Sequence, residues 1–175
     1  VLAWPLGNSS SSKENGEGLL PGPNDTNGVE FRIPAGVRDH VEEMLVTYNA
    51  QEPLSILGIR PHAHLAAVDI KLDIERAGSP AQCLVQDRWD FHWQRVYSYD
   101  APIWDLPTIG PGDKLRVRCK FDNSMMNRRL GQELWERGLQ PRDLFLGDET
   151  LDEMCMVELL YVRLPPGSRP QSATY

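Results

Sequence analysis

The stretch VDIKLDIE at residues 68–75 alternates apolar and charged side chains without a break. Successive residues of a strand point to opposite faces, so Val68, Ile70, Leu72 and Ile74 share one face, and Asp69, Lys71, Asp73 and Glu75 the other. A segment of this kind is expected to be an antiparallel strand with one face on a core and one in water. RVRCKF at 116–121 repeats the pattern. Further short runs rich in β-branched and aromatic residues lie at 29–33, 41–48, 54–65, 82–88, 91–99 and 155–164, with the RVRCKF strand extended to 114–121. Turn signals separate several of them: PAG at 34–36, AGSP at 77–80 and GPGD at 110–113. The spacing predicts an all-β fold, an antiparallel eight-stranded jelly-roll β-sandwich of about eight strands. One stretch breaks the pattern. NRRLGQELWER at 127–137 has helix-forming residues and is read as a short surface helix, with a long polar loop as the alternative.

The ends differ in composition from this middle. Residues 1–28 read as a flexible linker or tail, because most of the segment is Ser, Gly, Asn and Pro with little to bury. Residues 165–175 have the same character, which leaves 29–164 as one domain with a single core. The chain opens on Val1 with neither an initiator Met nor a secretory signal, and is read as a processed chain or an excised domain. A net charge of −7, with both signs scattered and no Lys/Arg block, argues against nucleic acid as a partner. No apolar run approaches the roughly 20 residues that span a bilayer.

Chemistry-bearing residues are few. His62 and His64 flank Ala63 in an apolar strand, so strand alternation sends both imidazoles to one side, close enough to share a metal ion. Of the other two histidines, His40 stands in a charged turn-to-strand segment, and His92 is expected to stack among the aromatic residues of WDFHWQ. A third ligand is therefore sought in GDETLDEMC at 147–155. Asp148, Glu149, Asp152 and Glu153 would favour a harder ion such as iron or zinc, whereas the Met154 thioether with two neutral imidazoles suits Cu(I). Adjacent strand residues face opposite ways, so Met154 can turn out to a metal while Cys155 turns in. By the same parity Glu158 shares the Met154 face, and Arg60 shares the face of His62 and His64. Three cysteines, Cys83, Cys119 and Cys155, permit one internal disulfide, and counting alone does not select the pair.

The order PHAHL, WDFHWQRVYSYDAPI, PGDKLRVRCKFDNS, GDETLDEMCMVELLYV resembles the copper type II, ascorbate-dependent monooxygenases. Those include peptidylglycine α-hydroxylating monooxygenase, dopamine β-monooxygenase and bacterial relatives. The resemblance covers 29–164 and corresponds to the family's C-terminal domain. It implies a jelly roll carrying the oxygen-activating copper, one per chain, on His62, His64 and Met154. It also implies a Cys119–Cys155 disulfide, with Cys83 outside the pattern. Ascorbate is the implied external reductant, and the implied reaction turns an unactivated C–H bond of a small-molecule substrate into C–OH using O2. A secreted, periplasmic or other oxidising compartment goes with these expectations.

Two departures from the family bear on the reaction. Four histidines cannot build a second, three-histidine copper site beside His62 and His64, so the electron-supplying copper is expected in a domain outside this chain. Four residues after the methionine ligand the animal enzymes carry a Tyr that helps place a carboxylate substrate; here the residue is Glu158, so a peptide C-terminus is not the expected substrate. Arg60 and Glu158 are taken as substrate-proximal residues at the rim, read first as a structural ion pair that closes it and second as direct substrate contacts. Two other readings exist: a copper-binding or copper-sensing module without turnover, and a jelly roll that serves only protein interaction.

Overall fold

The computed structural model describes residues 2–4, 18–26, 28–163 and 165. Among them lie twelve strands, one α-helix and one 3-10 turn (Ile103–Asp105). In chain order the strands are β1 Leu2–Trp4, β2 Gly18–Leu19, β3 Arg32–Ile33, β4 His40–Thr47, β5 Leu54–Ala63, β6 Ala67–Glu75, β7 Gln82–Arg88, β8 Tyr97–Ser98, β9 Thr108–Ile109, β10 Lys114–Phe121, β11 Leu144–Phe145 and β12 Cys155–Arg163. The helix, α1, spans Arg128–Glu136.

Two antiparallel sheets carry the fold. One runs β1-β12-β5-β8, with β9 also on β5; the other runs β2-β4-β10-β6-β7. In β10, Leu115, Val117, Cys119 and Phe121 are buried and the residues between them are not, the period-two burial expected of a strand with one wet face. Ile70, Leu72 and Ile74 of β6 join them, and Ile56, Ile59, Val157 and Leu159 come from the opposite sheet. Cys119 on β10 and Cys155 on β12 form a disulfide, with Cα atoms 5.9 Å apart, which joins the two sheets. The fold is thus an all-β sandwich.

Several strand expectations need adjustment. Val68 does not share the buried face of Ile70: it is exposed, because the β10–β6 register slips between Lys120 and Phe121 and Val68 becomes the extra residue of a bulge. The 91–99 run shortens to Tyr97–Ser98. Its start turns instead, with the Asp90 carboxylate accepting from the His92 amide at 3.0 Å. Two pieces of the 1–28 segment pair with the sheets, Leu2–Trp4 with β12 and Gly18–Leu19 with β4. Apart from Pro165, the 165–175 tail lies outside the described residues.

The helix forms where it was expected. Asn127 caps it, its side-chain oxygen accepting from the amides of Arg129 and Leu130. Leu130 and Leu134 are buried one turn apart on its inner face, while Trp135 faces solvent. The Asn127 side chain also donates to the carbonyls of Leu65 (3.0 Å) and Ala66 (3.3 Å), which seats the helix start against the β5–β6 turn. No helix among the described residues is long and apolar enough to cross a membrane.

Candidate metal centre

The site lies where β5 ends. Beyond its register slip against β12, β5 buries Ile59, Pro61 and Ala63 and turns Arg60 and His62 to the other face. His64 follows just past the strand, and its ring centroid lies 5.4 Å from that of His62, edge to face. The expected convergence of the two imidazoles on one side is therefore present.

Each ring has its Nδ1 engaged by an acceptor. His62 Nδ1 donates to Gln94 Oε1 at 3.0 Å, and the Gln94 amide is oriented by its own nitrogen donating to the Phe91 carbonyl at 3.1 Å. His64 Nδ1 donates to the Asp152 carbonyl at 3.1 Å. Since a carbonyl oxygen only accepts, Nδ1 carries the proton in each neutral ring and Nε2 keeps its lone pair. Metal-ligating histidines show this arrangement, the second ring nitrogen held by an outer hydrogen bond that fixes tautomer and ring angle. Burial pushes the His64 imidazole below its usual value and the neighbouring His62 adds to this, against the pull of the Asp152 carbonyl.

Aromatic side chains pack around the pair. Trp89 donates its indole N–H to the His64 carbonyl at 2.9 Å and stands edge-on to His62, while Phe91 stands edge-on to His64. Asp90 between them is paired with Arg129 of α1 at 2.7 Å, which fixes this segment to the helix. His92, expected to stack among its aromatic neighbours, instead meets Phe91 edge to face, with ring centroids 5.7 Å apart.

Met154 directly precedes β12, one residue before the disulfide cysteine. Its amide and that of His64 donate to the same oxygen, Glu153 Oε1, at 2.7 and 2.5 Å. The other oxygen, Oε2, accepts from Ala66 (2.9 Å) and Ala67 (3.2 Å). Glu153 is fully buried; burial pushes its carboxyl up to about 7, against the opposing effect of these four donors. Met156 is the cross-strand partner of His62 and Glu158 that of Arg60, and Arg60 Nη1 donates to Glu158 Oε2 at 3.0 Å.

Hard-ion ligands do not gather here. The Glu153 carboxylate is taken up by backbone amides and that of Asp152 faces Arg142 at 3.3 Å, while Asp148 and Glu149 are exposed. Among the described residues no three His, Cys, Asp or Glu side chains form a metal-holding group. A donor set of two imidazoles and a thioether lies outside that description and suits a soft, low-charge ion.

Sequence reasoning did not find Gln94, the Asp152 carbonyl or the role of Glu153. Gln94 and the carbonyl act through contacts distant in sequence, which no local spacing marks. Glu153 had one signal, an acid placed by strand parity on the inward side beside Met154. Gly147 supports the same loop, since a Cβ there would collide with the Asp152 carboxylate. The fold and site together define an all-β sandwich with two adjoining histidines at the end of β5, His62 partly exposed and His64 buried, and Met154 held through its amide by the carboxyl group that also holds His64. No protein-family model matches the chain, and no curated protein does.

Proposed function

We propose that this chain is the catalytic-copper domain of a copper type II, ascorbate-dependent monooxygenase, with one Cu held by His62, His64 and Met154. The observation that carries this reading is the pair of Nε2 lone pairs, left free because both Nδ1 atoms are committed to Gln94 and Asp152. Met154 supports it, tied through its amide to the oxygen that also holds His64. The donor set fits copper: two neutral imidazoles and a thioether favour Cu(I) over harder ions.

Bound copper supplies the redox chemistry of the reaction R–H + O2 + 2 e⁻ + 2 H⁺ → R–OH + H2O, with ascorbate as the electron source. The chain's own residues do the rest. Gln94 and the Asp152 carbonyl set the ring tautomers, Trp89 and Phe91 shield the imidazoles, and the Arg60–Glu158 pair stands on the sheet face that carries His62. Because Arg60 is already paired with a carboxylate, the expected substrate is a small molecule without a terminal carboxylate. Electrons come from a second copper domain outside these residues. An oxidising compartment is supported by the disulfide.

The alternative is a copper-binding or copper-sensing module without turnover. The same His62, His64 and Met154 set would serve it, since a module that only binds copper needs no electron-supplying domain. Anaerobic Cu(I) titration against a chromophoric chelator tests the shared core of both readings. One Cu(I) per chain is expected, lost in His62→Ala or His64→Ala and weakened in Met154→Leu. Binding indifferent to all three substitutions would overturn the assignment. Ascorbate-driven O2 consumption by the chain joined to an electron-donor domain then separates enzyme from module.

A further inference from the structure

We infer that Glu153 is a positioning residue that couples the histidine pair to Met154, acting through four backbone amides and not as a ligand. The inference rests on the copper reading above. Its physical basis lies in the turn between β5 and β6. Ala63 ends β5 and Ala67 begins β6, and between them the chain reverses inside the protein, with His64, Leu65 and Ala66 all buried. A reversal of this kind leaves backbone groups without ladder partners, and buried ones must be satisfied elsewhere. Here the outer carbonyls and the inner amides are served by different side chains. The Leu65 and Ala66 carbonyls accept from Asn127, while the amides of His64, Ala66 and Ala67 all converge on Glu153.

The fourth donor gives the carboxylate its functional meaning. Met154 belongs to a different segment, yet its amide shares Oε1 with that of His64. Glu153 is itself fixed, its amide donating to the Phe145 carbonyl at 3.0 Å and its carbonyl accepting from Gly147 at 3.2 Å. One buried side chain thus sets the spacing between the segment that carries His64 and the segment that carries Met154. Two oxygens with two lone pairs each serve four donors, which only an Asp or Glu side chain offers, and Asp is one methylene too short to reach from the same backbone position. A Gln in this place turns an NH2 group toward two of the four amides, whichever way it is oriented.

A double-mutant cycle on Cu(I) affinity tests this, with E153Q made in the native background and again with Met154→Leu. If Glu153 acts by bringing Met154 to the histidines, E153Q weakens Cu(I) binding tenfold or more in the native background. Once the thioether is gone, its effect shrinks to less than threefold. Equal losses in both backgrounds, or no loss in either, would overturn the inference, since a general loosening of the fold affects both alike. A native chain that binds no Cu(I) instead defeats the copper reading, so the two failures are distinguishable. Should E153Q not fold, amide exchange in the native chain replaces it. The amides of residues 64, 66, 67 and 154 are then expected to exchange together and to slow together on Cu(I) loading, and independent exchange of the Met154 amide would overturn the inference.

Discussion

Arg60 and Glu158 are direct cross-strand partners on β5 and β12, and their side chains meet at 3.0 Å on the sheet face that carries His62. Strand parity requires this if His62, His64 and Met154 lie at one end of the same face. Arg60 is 47% exposed, so solvent screens the pair and its worth to stability is about 0–1 kcal/mol. Glu158→Gln should therefore unfold at nearly the same denaturant concentration as the native chain and bind the same amount of copper. In the assembled enzyme the same change should alter substrate affinity or turnover. Loss of copper from Glu158→Gln, measured by metal analysis after desalting, would show that the rim and the ligands are not separate.

Cys119 and Cys155 tie the two sheets together next to Met154, so the bridge bears on both stability and the site. Replacing both cysteines by Ser should cost about 2–4 kcal/mol, the usual range for a native disulfide. Cu(I) affinity should fall with it. The remaining thiol, Cys83, is exposed, and burial of its surroundings with the nearby Asp73 raises its pKa. One thiol per chain should therefore react with a thiol reagent in the native protein, slowly at neutral pH. Peptide mapping that found Cys83 in a bridge would contradict the pairing.

At the start of β4, His40 donates its Nε2 proton to Glu42 Oε1 at 2.6 Å, and Asn24 donates to His40 Nδ1 at 3.0 Å. Glu42 Oε2 is buried with no partner. Burial raises the Glu42 carboxyl above its ordinary value, opposed by the His40 hydrogen bond. The folded chain thus holds this proton more tightly than the unfolded chain does. The stability associated with it is fully present below the ordinary carboxyl range and is lost as pH rises through the raised folded value. In Glu42→Gln that loss should disappear. Denaturation midpoints of the two proteins followed from acid to neutral pH check this, and parallel curves would contradict it.

What was legible in the sequence follows a physical division. Strands β5, β6, β7, β10 and β12 and the helix lay close to their expected positions because alternation, turn residues and a run of helix-forming residues are local signals. The Val68 face was misassigned because a bulge depends on the partner strand, which one strand's own pattern does not contain. The 91–99 run looked like a strand by its aromatic content, yet Trp89 and Phe91 pack on the histidines and Asp90 turns the chain. In the site, the HxH spacing and the inward turn of Cys155 were readable. The hydrogen bonds that fix the ring tautomers join residues 32 and 88 apart, beyond the reach of any local spacing.

Met154→His exchanges a soft thioether for a harder imidazole and should shift the preference of the site from Cu(I) toward Cu(II). Competition titrations of both oxidation states check it. An unchanged Cu(I)/Cu(II) preference would remove Met154 from the ligand set.

X-ray absorption at the copper edge of the Cu(I)-loaded native chain tests the central claim most directly. One copper per chain is predicted, with two imidazole nitrogens and one sulfur in its nearest shell, and the sulfur contribution is predicted to vanish in Met154→Leu while both nitrogens stay. A shell of nitrogen and oxygen alone in the native chain, or a chain that retains no copper after desalting, would contradict it.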